Sequence, residues 1–125
     1  MVLAVPVGAM GDIAVEIGPR LKPGATVTDV GSVKQAVIDA VQPHLPEGVH
    51  FVAGHPIAGT EHSGPRSGFA TLFVNRWWLL TPMEDSDPAA VAQSTLAALL
   101  AFGGLLMGTF SYIRLGRDQC VGRTG

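Results

Sequence analysis

One histidine lies in the run of this sequence whose residue types are best suited to chemistry. His55 stands in Gly54-His-Pro-Ile-Ala-Gly-Thr-Glu61, where small residues allow a ligand to approach closely. An imidazole has an ordinary pKa of about 6.5, so at neutral pH it can accept a proton from a reacting group. A lone histidine at a strand end is more often held by a backbone carbonyl. The glycines, threonine and glutamate around this one favour an active-site loop instead.

A second run with polar side chains lies some twenty residues upstream. Asp29-Val-Gly-Ser-Val-Lys34 has the form of a strand end, a tight turn and a helix start, which is where open α/β sheets bind ligands. Ser32 is predicted to cap the helix, an interaction that contributes about 1 kcal/mol, and its hydroxyl could serve a ligand as well. Lys34 is predicted to be a solvated residue of the first helical turn. The two runs together indicate chemistry on a small anion.

Other site types are not indicated. Four histidines are separated by five to seven residues, which fits neither a helical i, i+4 pair nor a compact zinc cluster, so we expect no metal site. The Gly-x-Gly-x-x-Gly fingerprint, the P-loop and the Gly-x-Ser-x-Gly elbow are all absent from the sequence. This argues against most nucleotide hydrolases and serine esterases. The histidines are His44, His50, His55 and His62.

Length and composition predict one domain in which many apolar side chains are buried. The chain has 125 residues, 47% hydrophobic and 14% charged, with a formal net charge of -2. Without a basic field, nucleic acid is not an expected partner. A single cysteine, Cys120, fits a reducing compartment, so we expect a cytoplasmic protein. The apolar stretch from Leu96 to Ile113 contains three glycines and is short for a span of roughly 20 residues, so no membrane segment is expected.

Strand-like and helix-like sequence patterns alternate along the chain and predict an α/β fold. β-branched runs that suit buried parallel strands alternate with apolar residues at spacings of three and four, which suit helices. This order predicts a partial Rossmann-like, mostly parallel sheet with flanking helices. Residues 101–125 show no clear period and stay unassigned. The predicted elements are strands at Val2–Val7, Ala25–Val30, Phe51–Ala53 and Arg76–Thr81, and helices over Gly8–Leu21, from Ser32 towards Pro43, and from Pro88 with Asp87 as its cap.

Three motifs in order make the chain resemble the prephenate dehydrogenase family, including its arogenate and cyclohexadienyl relatives. They are Asp29-Val-Gly-Ser-Val-Lys34, Gly54-His-Pro-Ile-Ala-Gly-Thr-Glu-His-Ser-Gly64 and Trp78-Leu-Leu-Thr-Pro82. The resemblance covers roughly Val2 to Leu100. It implies oxidation of a cyclohexadienol with NAD or NADP. Carbon dioxide is then lost and the ring becomes aromatic, a step of tyrosine biosynthesis.

The resemblance also assigns roles to individual residues. It implies that His55 is the catalytic histidine, which takes the proton of the ring hydroxyl, and that Ser32 lies beside the same hydroxyl and the nicotinamide. A strand end borders the cofactor, and a loop closes over the substrate. The implied set is His55 and Ser32 as catalytic residues; Ser32, Gly59, Thr60 and Glu61 for the substrate, prephenate or arogenate; and Val5, Pro6, Val7 and Ser32 for the cofactor.

Two parts of the family pattern are not in this sequence. Family members begin with a strand and a Gly-rich phosphate turn, and they continue into a helical dimerisation domain. We therefore expect residues 1–100 to be the second part of a dinucleotide-binding domain, residues 101–125 to be a truncated or frame-shifted tail, and the chain alone to be inactive. A non-catalytic ligand-binding or regulatory module that uses the same crevice is the alternative. The choices between NAD and NADP, and between prephenate and arogenate, stay open.

Overall fold

A computed structural model describes residues 1–59, 64–74 and 76–101 of the chain. The expectations for Thr60, Glu61, His62 and the tail from residue 102 lie outside these residues. Short 3₁₀ turns flank the first two helices. The elements are β1 (Val2–Leu3), α1 (Met10–Ile17), β2 (Thr26–Asp29), α2 (Lys34–Val41), β3 (His50–Ile57), β4 (Trp77–Thr81) and α3 (Pro88–Ala101).

The four strands form one sheet in the order β1-β2-β3-β4. β1 pairs with β2 and β2 with β3 in parallel, whereas β4 runs antiparallel to β3. Val27 lies opposite Phe51 in the parallel part, and Gly54 lies opposite Leu80 in the antiparallel part. The prediction of a Rossmann-like, mostly parallel sheet with flanking helices is confirmed.

The main core lies between the sheet and the helices α1 and α2. Apolar residues recur at intervals of four on each helix, so that one stripe of each faces the strands. Burying an aliphatic side chain of this size contributes roughly 1.5–3 kcal/mol, so this layer supplies much of the stability of the fold. Its buried members are Leu3, Met10, Ala14, Val27, Val37, Val41, Phe51 and Ala53.

The opposite face of the sheet is covered by α3. Asp87 caps this helix, since its two carboxylate oxygens accept hydrogen bonds from the N–H groups of Ala89 (3.3 Å) and Ala90 (3.2 Å). The predicted cap, with Pro88 at the first helical position, is thereby confirmed. Trp78 is buried against this helix with 4% of its surface exposed, whereas Trp77 points away with 45% exposed. No helix in the described residues is long and apolar enough to cross a membrane.

Two strand ends differ from the predicted ones by four residues, while the other strand boundaries that differ do so by one. β1 ends at Leu3 rather than at Val7, because Pro6 has no N–H to extend the ladder and its carbonyl accepts the N–H of Ala9 (2.9 Å) in a 3₁₀ turn. β3 continues to Ile57 instead of ending at Ala53, because β4 pairs with it over that stretch. His55 is therefore a strand residue and not a loop residue.

Candidate active site

His55 lies on the part of β3 that extends past the end of β2. The last β3 residue paired with β2 is Val52, while pairing with β4 continues as far as Ile57. Beyond Val52, no strand of the described residues pairs with the β2 side of β3, so the strand tolerates Pro56, which has no N–H to donate. The imidazole is partly buried.

Gly54 carries no side chain because the space around it is already filled. An added Cβ would lie 2.7 Å from the backbone oxygen of Asp29, 2.8 Å from Trp78 Nε1 and 3.0 Å from Thr28 Oγ1. These separations are shorter than van der Waals contact permits. The glycine therefore allows β3 to pack closely against β2 and β4 at the residue before His55.

Asp29 organises the end of β2 through both oxygens of its side chain. Oδ2 accepts the N–H of Gly31 (2.8 Å), and Oδ1 accepts the N–H of Gly54 (2.9 Å). The side chain is fully buried, with 0% of its surface exposed. A buried carboxylate is costly unless it is paired and hydrogen-bonded, so each of these contacts offsets the cost of burying it.

Lys34 completes this arrangement from the first residue of α2. Its ammonium group forms an ion pair with Asp29 Oδ2 and also donates to the backbone oxygen of Gly54. Burial lowers the pKa of Lys34 below its ordinary 10.5, while the hydrogen bond and the charge of Asp29 oppose that shift. The prediction that Lys34 is solvated is wrong: 14% of its side chain is exposed, because the buried carboxylate needs a counter-charge.

The predicted helix cap at Ser32 is also wrong. α2 begins at Lys34, and its N-cap residue is Val33, whose side chain makes no capping hydrogen bond. The physical reason lies in the turn, where the carboxylate of Asp29 takes the N–H of Gly31 and the helix then starts one residue later than a Ser32 cap requires. The Ser32 side chain is exposed. Its hydroxyl is therefore not committed to the helix end.

Electrostatics around His55 favour the neutral imidazole. Burial lowers the pKa of His55 below its ordinary 6.5, and the positive charge of Lys34 lowers it further. The negative charge of Asp29 opposes both effects. Near neutral pH the ring is therefore unprotonated and able to accept a proton.

Residues that follow β1 lie beside the turn that follows β2. Val7 Cγ2 is 3.2 Å from the position that a Cβ on Gly31 would occupy, so the segment from Val5 to Val7 borders the turn that contains Ser32. Val5 and Val7 are partly buried and Pro6 is exposed. The structure thus brings the predicted cofactor residues to the same sheet edge as Asp29 and Gly54.

The predicted substrate residues are described only in part. Gly59 is exposed and has a φ of 120°, a conformation that glycine adopts readily and other residues rarely do. Thr60 and Glu61 lie outside the described residues. In the part of the chain that the structure covers, no three histidine, cysteine, aspartate or glutamate side chains come together as a possible metal site.

Asp29 and Lys34 are the site residues that the sequence analysis did not single out by role. A signal was present, because an aspartate at the end of a β-branched strand would be buried, and a buried carboxylate needs a partner. Lys34 follows five residues later. The sequence did not reveal that the pair also binds the backbone of Gly54, since that contact joins residues 20 positions apart.

Sequence comparisons with known proteins agree on one family. Residues 1–103 match the family model described as "Prephenate dehydrogenase, nucleotide-binding domain". The chain is 44% identical over 92 residues to cyclohexadienyl dehydrogenase from Zymomonas mobilis, which covers 74% of this chain and 31% of that protein. It thus spans about a third of the length of that relative.

Solved structures share the fold as well. Prephenate dehydrogenase from Aquifex aeolicus, in complex with hydroxyphenyl propionate and NAD+, superimposes with a TM-score of 0.72 at 32% identity, covering 90% of this chain and 37% of that one. Synechocystis arogenate dehydrogenase superimposes with a TM-score of 0.67 at 32% identity, covering 90% of this chain and 38% of that one.

Proposed function

Because this chain belongs to the prephenate dehydrogenase nucleotide-binding domain family, we propose that it supplies the nucleotide-binding and proton-accepting part of a prephenate or arogenate dehydrogenase. The observation that carries the proposal is His55, partly buried at the extended end of β3 next to the Asp29–Lys34 pair. The reaction would be an NAD- or NADP-dependent oxidative decarboxylation in tyrosine biosynthesis.

His55 is the proton acceptor in this proposal. As hydride leaves the carbon that carries the ring hydroxyl, the hydroxyl becomes acidic, and an imidazole nitrogen of His55 takes its proton. The carbon becomes a carbonyl, and the carboxylate on the opposite ring carbon is then lost as carbon dioxide. The electron pair of the broken bond moves through the ring to the carbonyl oxygen, which takes up a proton, and the ring becomes aromatic. The lowered pKa of His55 suits the role, since only the neutral ring can accept the proton.

The residues at the sheet edge fit the nicotinamide end of a dinucleotide. Val5 and Val7 offer partly buried apolar surface for a flat ring, and Ser32 offers an exposed hydroxyl beside it. Bound NAD or NADP would supply the hydride acceptor. Gly31 keeps the turn compact, because a Cβ there would lie 3.0–3.2 Å from Asp29, Val37 and Val7. The relative from Aquifex aeolicus holds NAD+ and an aromatic hydroxyphenyl ligand, which supports both ligand classes.

The remaining assignments concern the substrate and the assembly. Gly59, Thr60 and Glu61 are proposed to close over prephenate or arogenate, with Ser32 close to the ring hydroxyl. The family resemblance further suggests a cytoplasmic location, and a homodimer for full-length family members. These assignments follow from family membership and from the position of Gly59 two residues after β3.

Nucleotide binding and turnover together test the proposal. Calorimetry with NAD+ and NADP+, followed by an absorbance assay for the reduced cofactor with prephenate or arogenate, should show binding of at least one nucleotide. Where turnover occurs, His55→Gln should lower kcat by about 10²- to 10⁴-fold without loss of nucleotide binding. His44→Gln, in an exposed residue after α2, should change neither quantity.

Two other outcomes have definite meanings. Binding of a nucleotide, prephenate or tyrosine by the wild-type chain without any turnover supports the alternative of a non-catalytic ligand-binding module. No nucleotide binding at all, or undiminished turnover in His55→Gln, contradicts the proposed function.

A further inference from the structure

We propose that Lys34 is a positioning residue for His55: with Asp29 it holds the backbone of β3 where β2 has ended, and it places a positive charge at the residue before the histidine. The inference rests on the proposed role of His55 as proton acceptor and deepens it. Lys34 acts through its neighbours, because it bonds to the residue that precedes the histidine.

The first step of the argument concerns the backbone of Gly54. Its N–H goes to Asp29 Oδ1 and its carbonyl oxygen accepts from Lys34 Nζ. In a parallel sheet both groups would pair with the next strand, but β2 pairs with β3 only as far as Val52. The two side chains therefore take the place of strand backbone. A buried N–H or carbonyl left without a partner would be costly.

The second step concerns the geometry that this pairing imposes on His55. The next backbone unit after Gly54 carries the imidazole, so fixing the peptide on the β2 side restricts where the ring can lie. Pairing of His55 with Leu79 on β4 restricts the other side. A proton acceptor must lie within hydrogen-bond reach of the group it deprotonates. Restricting the backbone on both sides therefore prepares the site before substrate binds.

The third step concerns charge. Two charged groups among the described residues act on His55: Lys34 at the start of α2 and Asp29 on β2. Leu79, its pairing partner on β4, is uncharged. Lys34 disfavours a second positive charge on the ring, and Asp29 limits this effect. Removal of the ammonium should therefore raise the pKa of His55, so that the ring stays protonated up to a higher pH.

NMR titration of the histidine ring protons in the full chain tests the inference without requiring turnover. The His55 signal is assigned as the one that is lost in His55→Gln. In the wild-type chain, its pKa should lie below the ordinary value for histidine. Lys34→Met and Lys34→Gln should both raise it, whereas Lys34→Arg, which keeps the charge, should leave it low. Lys22→Met removes the same charge from an exposed side chain and should leave it unchanged.

Hydrogen exchange tests the positioning part separately. Exchange of the Gly54 N–H should accelerate by about tenfold or more in Lys34→Met, because a hydrogen-bonded charge that supports this peptide is lost. Lys34→Gln retains a donor for the Gly54 carbonyl without the charge. Exchange of the Gly54 N–H should therefore accelerate less in Lys34→Gln than in Lys34→Met, although both variants should raise the pKa of His55. A structural role alone would not separate the two readouts in this way.

Turnover distinguishes a failure of this inference from a failure of the proposed function. With prephenate and nucleotide, Lys34→Gln should lower kcat more than it raises KM, and the acid limb of kcat should move to higher pH. A wild-type chain that binds no nucleotide but shows the Lys34-dependent pKa contradicts only the proposed function. A wild-type His55 pKa at or above the ordinary value overturns the inference, even if every Lys34 variant fails to fold. An unchanged His55 pKa in both neutral variants also overturns it.

Discussion

The two faces of the sheet differ in whether their buried polar side chains have hydrogen-bond partners. On the α1 and α2 side, the buried carboxylate of Asp29 has both oxygens occupied and an ammonium partner. On the α3 side, the buried hydroxyls of Thr28 and Ser94 have no hydrogen-bond partner among the described residues. The helices on the first face bury Met10, Val37 and Val41, whereas α3 presents the small residues Ala90, Ser94 and Ala98.

This difference separates the part of the fold that could do chemistry from the part that supports it. A charge is buried only where several contacts offset the cost, and those contacts converge on the residue that precedes His55. A partnerless hydroxyl costs far less than a charge, so close packing under α3 can tolerate it. Substitutions on each face should therefore change stability by different amounts and in different directions.

The largest loss of stability is expected from removing the buried carboxylate of Asp29. Asp29→Ala leaves Lys34 without its partner and removes the acceptor for two backbone N–H groups. Removing one member of a buried pair costs about 3–5 kcal/mol. The free energy of unfolding in urea of the wild type and the variant would measure this loss. Asp39→Ala, on the exposed side of α2, should cost less than about 0.5 kcal/mol. A loss below about 1 kcal/mol at Asp29 would contradict the account of a tightly paired buried charge.

A smaller loss is expected where the two faces meet at Gly54. Gly54→Ala places a methyl group 2.7 Å from a backbone oxygen and 2.8 Å from Trp78 Nε1, and such overpacking costs about 1–3 kcal/mol. Chemical denaturation measures it. Gly8→Ala is the matched control, since an added Cβ there meets nothing within 4 Å. Equal stability of the two variants would show that β3 can move away from β2 without cost.

A stabilising change, or none, is expected on the α3 side. Ser94→Ala removes a buried hydroxyl that has no partner in the described part of the chain, so the free energy of unfolding should stay level or rise by up to about 1 kcal/mol. Ser86→Ala offers the contrast, because Ser86 Oγ accepts the N–H of Met83 at 2.7 Å, and its loss should destabilise by about 1 kcal/mol. Thermal melts of both variants check the signs. Comparable destabilisation by both would contradict the conclusion that the Ser94 hydroxyl is buried without a partner among the residues that the structure describes.

The smallest effect concerns pH. The folded chain holds the pKa of His55 below the 6.5 of the unfolded chain, so the folded state binds fewer protons in that window. Stability present above the unfolded pKa should therefore be lost as pH falls towards the folded pKa. Between a neutral and a mildly acidic pH, the urea midpoint should fall less in His55→Gln than in the wild type. An identical fall in both chains would show that the imidazole is not held neutral by folding.

Local patterns in the sequence predicted most of the elements. Apolar spacings of three and four located α1 and α2, β-branched runs located the first strands, and Asp87-Pro88 located the start of α3, because each of these signals depends on neighbours in sequence. The extent of β3 was not predicted. It depends on pairing with β4, whose paired residues lie twenty or more positions away. The Ser32 cap was predicted from residue type alone, and the carboxylate of Asp29 changed the turn before it.

The sequence by itself determined the α/β class, the resemblance to a family and the identity of His55, because residue types and their order carry that information. The tertiary structure alone decided that Lys34 is largely buried and pairs with Asp29, and that both side chains bind the backbone of Gly54. The physical reason is burial. Whether a charged side chain is solvated or desolvated depends on how strands and helices distant in sequence pack around it, and burial in turn sets which partners it requires.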